Sequence, residues 1–108
     1  ADLISCFAND YGYENWVVAA LQAYADPGDL LVLISSSGRS KNIINAADYS
    51  KNHGLNLVTF SGFDADNPLR QYGKVNFWAN SGSYNLVEMT HHIWLLAIVD
   101  AWIERKSK

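Results

Sequence analysis

Cysteine occurs once in the 108 residues, at Cys6, and proline only twice. A single cysteine excludes an internal disulfide and a structural zinc site of four thiolates, and it suits a reducing, cytoplasmic setting. Charge is sparse as well. Eight Lys+Arg against eleven Asp+Glu leave a net charge of -3, whereas a nucleic-acid domain normally carries a basic surface. The first residues lack the basic start and long apolar stretch of a secretory signal. The longest uninterrupted apolar run, Ile93 to Val99, is far short of the ~20 residues that cross a bilayer. No internal repeat, low-complexity segment or linker is visible. We therefore expect a soluble protein with neither a membrane nor a nucleic acid as partner. What is plentiful is core material: 49% of residues are hydrophobic and 13% aromatic, enough to bury a core in a single domain. The chain opens at Ala1 rather than Met and is apolar at once, which we read as a start partway into a larger domain.

Glycine and proline divide the chain into alternating units. Val17, Val18, Leu21 and Ala25 recur at helical spacing and predict a helix from about Glu14 to Ala25. It stops at Asp26-Pro27-Gly28-Asp29. Leu30 to Ile34 is a continuous apolar run, the pattern of a strand covered on both faces in a parallel sheet. Lys41 to His53 reads as an amphipathic helix stopped by Gly54. Strands at Leu55 to Phe60 and Val75 to Ala79 follow, with a helical turn near Leu69 between them, and a long helix runs from about Tyr84 to Arg105. Helices alternating with strands at this spacing imply an α/β fold on a parallel sheet. The last helix is apolar on every face from Ile93 to Val99, so its cover is expected from another subunit or from sequence before Ala1.

The segment richest in chemistry is Ser35-Ser36-Ser37-Gly38-Arg39-Ser40, directly after the first strand. Ligands of open α/β sheets bind beyond the carboxyl ends of strands, and the helix that follows offers unpaired N–H groups and the positive end of its dipole to a phosphate. Serine hydroxyls can donate to phosphate oxygens, Gly38 permits close backbone approach, and Arg39 and Lys41 add positive charge. A serine cap on the helix would account for one of these residues; four serines in six residues point to phosphate.

This loop, following Gly28-Asp29-Leu30-Leu31-Val32-Leu33-Ile34, resembles the sugar-phosphate signature of the sugar isomerase (SIS) domain, in particular its phosphoheptose isomerase branch. Asn9-Asp10-Tyr11-Gly12-Tyr13-Glu14 and Gly54 to Gly62 are similar to two further segments of that branch. The resemblance implies a flavodoxin-like three-layer sandwich with a parallel sheet. Residues 1–108 would form the C-terminal two-thirds of the domain, with the first strand and N-terminal helices preceding Ala1. It also implies that Ser35, Ser36, Ser37 and Ser40 hold a substrate phosphate and that Asn9 and Asp10 contact sugar hydroxyls. The reaction would be aldose–ketose interconversion of a phosphorylated sugar such as sedoheptulose 7-phosphate, in a homodimer or homotetramer packed through the C-terminal helix.

One departure concerns catalysis. The last helix of these isomerases carries Gln or Glu and, eight residues on, a histidine. Glu88 matches the first position and Leu96 falls on the second. His92 lies on the same helical stripe as Glu88 and Leu96, so Glu88 and His92 are the candidate acid–base pair. They could also supply two ligands to zinc, the candidate cofactor, although zinc needs more. The plainer alternatives are a surface pair at i, i+4, or His91 and His92 lining a subunit interface. His53 reads as a favourable cation at a helix end, Cys6 as a small packed side chain, and Trp78, Trp94 and Trp102 as core or interface. A non-catalytic relative that binds a phosphosugar or a protein is the second reading, favoured by Leu96; a sugar-phosphate-sensing part of a transcriptional regulator is the third.

Overall fold

The turn at Asp26-Pro27-Gly28-Asp29 sets the start of the sheet. Gly28 has φ +91°, a conformation natural to glycine, and donates its N–H to the Gly54 carbonyl at 2.9 Å. Asn56 returns the connection, donating its backbone N–H to Asp29 O at 2.8 Å and its side-chain amide to Gly28 O at 2.9 Å. The turn before one strand is thereby fastened to the turn before the next, and the two strands start level.

In a computed structural model that describes residues 2–108, three strands follow in order: β1 (Leu30–Ile34), β2 (Asn56–Ser61) and β3 (Val75–Trp78). They form one parallel sheet in the order β1-β2-β3, with Leu33 opposite Thr59 and Phe60 opposite Phe77. The helices are α1 (Asp2–Tyr11), α2 (Trp16–Tyr24), α3 (Lys41–Asn52) and α4 (Tyr84–Lys106), with short 3-10 turns at Tyr13–Asn15 and Pro68–Gln71. The expected α/β order holds. The sequence reading gave α1 no element. It ends at Gly12, which has φ +85°, and it buries none of its residues. Cys6 lies on it and is exposed, not packed as expected.

Side chains alternate between the two sheet faces. Leu31, Leu33 and Leu57 face α2 and α3, where Val17, Ala46, Ala47 and Leu69 complete a buried cluster. Fully burying such a leucine is worth about 1.5–3 kcal/mol. The opposite face carries Phe60 and Phe77, stacked at 4.7 Å, against His91 and Trp94 of α4. The layers are therefore helix, sheet, helix.

One expectation about burial is corrected here. β1 is an edge strand, and on the α4 side Leu30, Val32 and Ile34 are 66%, 41% and 45% exposed, so it is not covered on both faces within this chain. Helix α4 buries only Val87 and His91; its remaining apolar faces stand open. By length and composition α4 also meets the requirement for crossing a membrane, 23 residues that contain an 18-residue window of mean hydropathy 1.3, which the uninterrupted-run count did not detect. Its first half instead lies on this chain's own sheet, with Val87 against Gly62 and His91 bonded to Ser61.

Candidate functional site

β1 ends at Ile34, and its ladder continues one step further, Ser35 N–H donating to Phe60 O at 3.0 Å. The chain then turns sharply. Gly38 N–H donates to Ser35 O at 3.0 Å, and Gly38 has φ +66°. Ser37 Oγ accepts the Arg39 N–H at 3.2 Å. Ser40 is the N-cap of α3, yet its side chain accepts no bond from the helix; its Oγ accepts from Ser35 Oγ at 3.2 Å. The Ser40 hydroxyl therefore does not cap the helix; Ile43 N–H is taken by Ser40 O and Asn42 Oδ1, each at 3.0 Å, which leaves the Lys41 and Asn42 N–H groups at the N-terminus.

They open onto a pocket of about 470 Å³ lined by Tyr13, Glu14, Ile34, Ser40, Lys41, Asn42 and Ile43. Its position, past the carboxyl end of a parallel strand and at a helix N-terminus, is where such folds take anions. One wall is pinned: Asn45 Nδ2 donates to Glu14 O at 3.0 Å, and Lys41 Nζ lies 2.9 Å from Glu14 Oε2. Arg39 is held by Asp64 at 3.3 Å and Asp66 at 3.8 Å. Each cation of the loop thus already has a carboxylate, and backbone N–H groups and hydroxyls are left as the loop's own anion donors.

Of the four serines, Ser35 is buried, Ser36 and Ser37 are half-buried, and Ser40 is exposed and lines the pocket. Asn9 and Asp10 sit on exposed α1, Asn9 Nδ2 donating to Asp10 Oδ1 at 3.4 Å. They do not line the pocket; Tyr13 and Glu14, a few residues later, do. Glu88 and His92 are both exposed on α4 and are not brought to the serine loop. The histidine that α4 buries is His91. Its Nε2 is 2.8 Å from Ser61 O and its Nδ1 has no partner among the described residues. Val87 and His91, one turn apart, set the phase of the helix and turn Glu88 and His92 outward. As metal donors, Glu88 and His92 fall short of the three or four ligands zinc takes, and among the described residues no group of three His, Cys, Asp or Glu converges.

Asn42 and Tyr13 were missed by sequence reasoning. Asn42 sits on the first turn of α3, one residue beyond the loop, and its proximity alone could have suggested it. Tyr13 lines the pocket only because the turn after Gly12 lies against α3.

A sequence model of the SIS domain matches residues 1–62, more than half of the chain. The chain belongs to the SIS domain family. The matched span contains every residue lining the pocket and the whole serine loop, and it stops before α4. Among curated relatives, the phosphoheptose isomerase of Cytophaga hutchinsonii is 43% identical over 61 residues, 56% of this chain and 32% of that protein. The phosphoheptose isomerase of Histophilus somni is 39% identical over 61 residues, 56% of this chain and 31% of that protein. The chain thus spans about a third of the length of these relatives. Among solved structures, the phosphoheptose isomerase of Neisseria gonorrhoeae superposes with a TM-score of 0.85 at 23% identity, covering 93% of this chain and 56% of that one. That of Francisella tularensis gives 0.82 at 19% identity, over 92% and 53%. These two likenesses establish the fold, α4 included.

Proposed function

We propose that this SIS chain carries the phosphate-binding half of an aldose–ketose isomerase site for a phosphorylated sugar, with sedoheptulose 7-phosphate as the substrate. The observation that carries this reading is the pocket at the end of β1, where the uncapped N-terminus of α3 meets Ser40, inside the span matched to the family. Ser35, Ser36, Ser37 and Ser40 receive the phosphate in this reading. Asn9 and Asp10 receive the sugar hydroxyls, reached by movement of α1 or from a neighbouring subunit. Isomerisation moves one proton from the carbon beside the carbonyl to the former carbonyl carbon, and another from the hydroxyl on the first of these carbons to the carbonyl oxygen, so it needs a base and an acid near neutral pKa. Glu88 and His92 serve as that pair only when α4 is presented to the serine loop of another copy. We accordingly propose assembly as a homodimer or homotetramer through the open faces of α4. Zinc, if used, takes Glu88 and His92 with further ligands from elsewhere.

Titration calorimetry with sedoheptulose 7-phosphate tests the binding half. Hydrogen bonds to charged groups are worth about 1.5–3 kcal/mol each, so Ser37→Ala with Ser40→Ala is expected to weaken affinity by more than about tenfold. Unchanged affinity would refute the serine assignment. Turnover that survives His92→Ala would remove His92 as proton carrier. The second reading, a non-catalytic SIS protein that binds a phosphosugar or another protein, is favoured by one observation: Leu96, at the position eight residues after Glu88, is an exposed apolar side chain with nothing to transfer a proton. Binding of the phosphosugar without conversion by the assembled protein would decide for it.

A further inference from the structure

The segment after β2 holds a fully buried amide that neither the pocket nor the family match accounts for. Asn67 is 0% exposed. Its Nδ2 is ringed by three oxygens, Ser61 Oγ at 3.1 Å, Gly62 O at 3.0 Å and Asp64 O at 3.0 Å, and its Oδ1 accepts the Arg70 N–H at 3.3 Å. The plain explanation is a helix cap, since Asn67 precedes the Pro68–Gln71 turn with proline at its first position. That role uses only Oδ1, and the bond is long. It leaves the three contacts of Nδ2 unexplained, along with what lies on the other side of the residue.

On that other side is Gly38. A Cβ at Gly38 would overlap the Asn67 side chain. The Gly38 carbonyl accepts the Leu69 N–H at 3.2 Å. The serine loop is therefore seated directly on residues 67–69, with no room between them. The same segment grips the loop from outside, where Asp64 and Asp66 hold Arg39. It also carries Phe63 at φ +58°, a left-handed conformation that costs energy for a residue with a side chain and persists only where its surroundings enforce it. A satisfied buried polar group is costly to disturb and so fixes one arrangement.

We infer that Asn67 is the positioning residue of the serine loop: clamped by Ser61, Gly62 and Asp64, it presents a rigid seat that holds Gly38 in its left-handed turn and keeps the loop ready for an anion before the anion arrives. This rests on the phosphate-binding reading above. Asn67 acts through Gly38 and does not touch the ligand.

The test uses the 108-residue chain with inorganic phosphate, and with sulfate for the pH profile because sulfate does not titrate between pH 5 and 8. Asn67→Ala is expected to weaken phosphate about tenfold, because a loosened loop must then be ordered on binding. Asn67→Asp keeps the size but replaces the clamped amide with a carboxyl group beside the loop. Its sulfate affinity is expected to rise as pH falls and the carboxylate takes up a proton, relative to the unsubstituted chain at each pH. A merely structural Asn67 would lower the melting temperature of both variants and leave phosphate affinity of the folded Asn67→Ala protein unchanged; that result overturns the inference. Should Asn67→Ala fail to fold, Asn67→Ser, which keeps an N-cap oxygen but not the clamped amide, carries the same comparison. The unsubstituted chain gives a further readout: the side-chain amide resonances of Asn67 are expected to shift on phosphate addition, and their constancy counts against the seat. If Ser37→Ala with Ser40→Ala weakens phosphate while the Asn67 variants do not, only the positioning role falls. If the unsubstituted chain binds no phosphate, the binding reading falls, and this inference with it.

Discussion

The two faces of one small sheet differ sharply in how they are closed. On the α2–α3 side, Leu33 is 3% exposed and Ala46, Ala47 and Leu69 are wholly buried. On the α4 side, Phe60 is covered and Phe77 half-buried, but Leu30, Val32, Ile34 and Val75 are open, and so are Ile93, Leu96, Val99 and Trp102 along the helix above. The closed face is self-sufficient, and the serine loop and pocket are built at its rim. The open face carries the candidate acid–base pair on a helix whose apolar surface this chain alone does not cover. In the proposed reading the phosphate therefore meets its donors within one chain, whereas the candidate acid–base pair requires a neighbour.

The largest expected effect separates the two faces by stability. Leu33→Ala should cost about 2–5 kcal/mol in chemical denaturation, while Val32→Ala, its neighbour on the open face, should cost less than about 1 kcal/mol. Equal costs would mean that the open face is covered in solution. Next comes the seam between sheet and α4. A Cβ at Gly62 would collide with both methyls of Val87, so Gly62→Ala should cost about 1–3 kcal/mol and loosen the first half of α4, read as faster amide exchange there.

A smaller effect tests the closed face at its edge. The Tyr72 hydroxyl donates to Asp48 Oδ1 at 2.8 Å. That bond, followed by burial and the negative charge of Asp48, raises the Tyr72 pKa above its ordinary 10.0. A proton held more tightly in the folded state stabilises the fold at and below the ordinary phenol pKa, and this contribution is lost as pH rises through the raised value. Tyr72→Phe should therefore cost about 0.5–1.5 kcal/mol at neutral pH and remove that part of the alkaline decline. The smallest effect on stability belongs to the open face: Leu96→Lys with Val99→Lys should change unfolding by no more than about 0.5 kcal/mol per site, yet reduce the mass measured by sedimentation if α4 is the assembly surface.

Much of the fold was legible because turns and periodicity are local. The stop at Pro27-Gly28, the Leu30–Ile34 run and the Gly54 end of α3 each lie within a few residues of the element they bound. α1 was not: Leu3, Ile4 and Phe7 lie at helical spacing, but the helix buries none of its residues in this chain. The face that α4 turns to the sheet was hidden for a physical reason. With apolar residues on every side, composition gives no phase, and the choice between His91 and His92 was made by tertiary contact with Ser61. The serine loop was legible as chemistry. Its partners were not: Tyr13 reaches the pocket through the turn after Gly12, and Asn67 reads locally as a cap before proline, with nothing to reveal that it lies against Gly38.

Amide chemical-shift mapping of the 108-residue chain during titration with inorganic phosphate tests the central claim most directly. The largest displacements are expected at residues 36–42, across the serine loop and the first turn of α3, with little change along α4. Saturable shifts centred on α4 or on α1, with residues 36–42 unmoved, would contradict it.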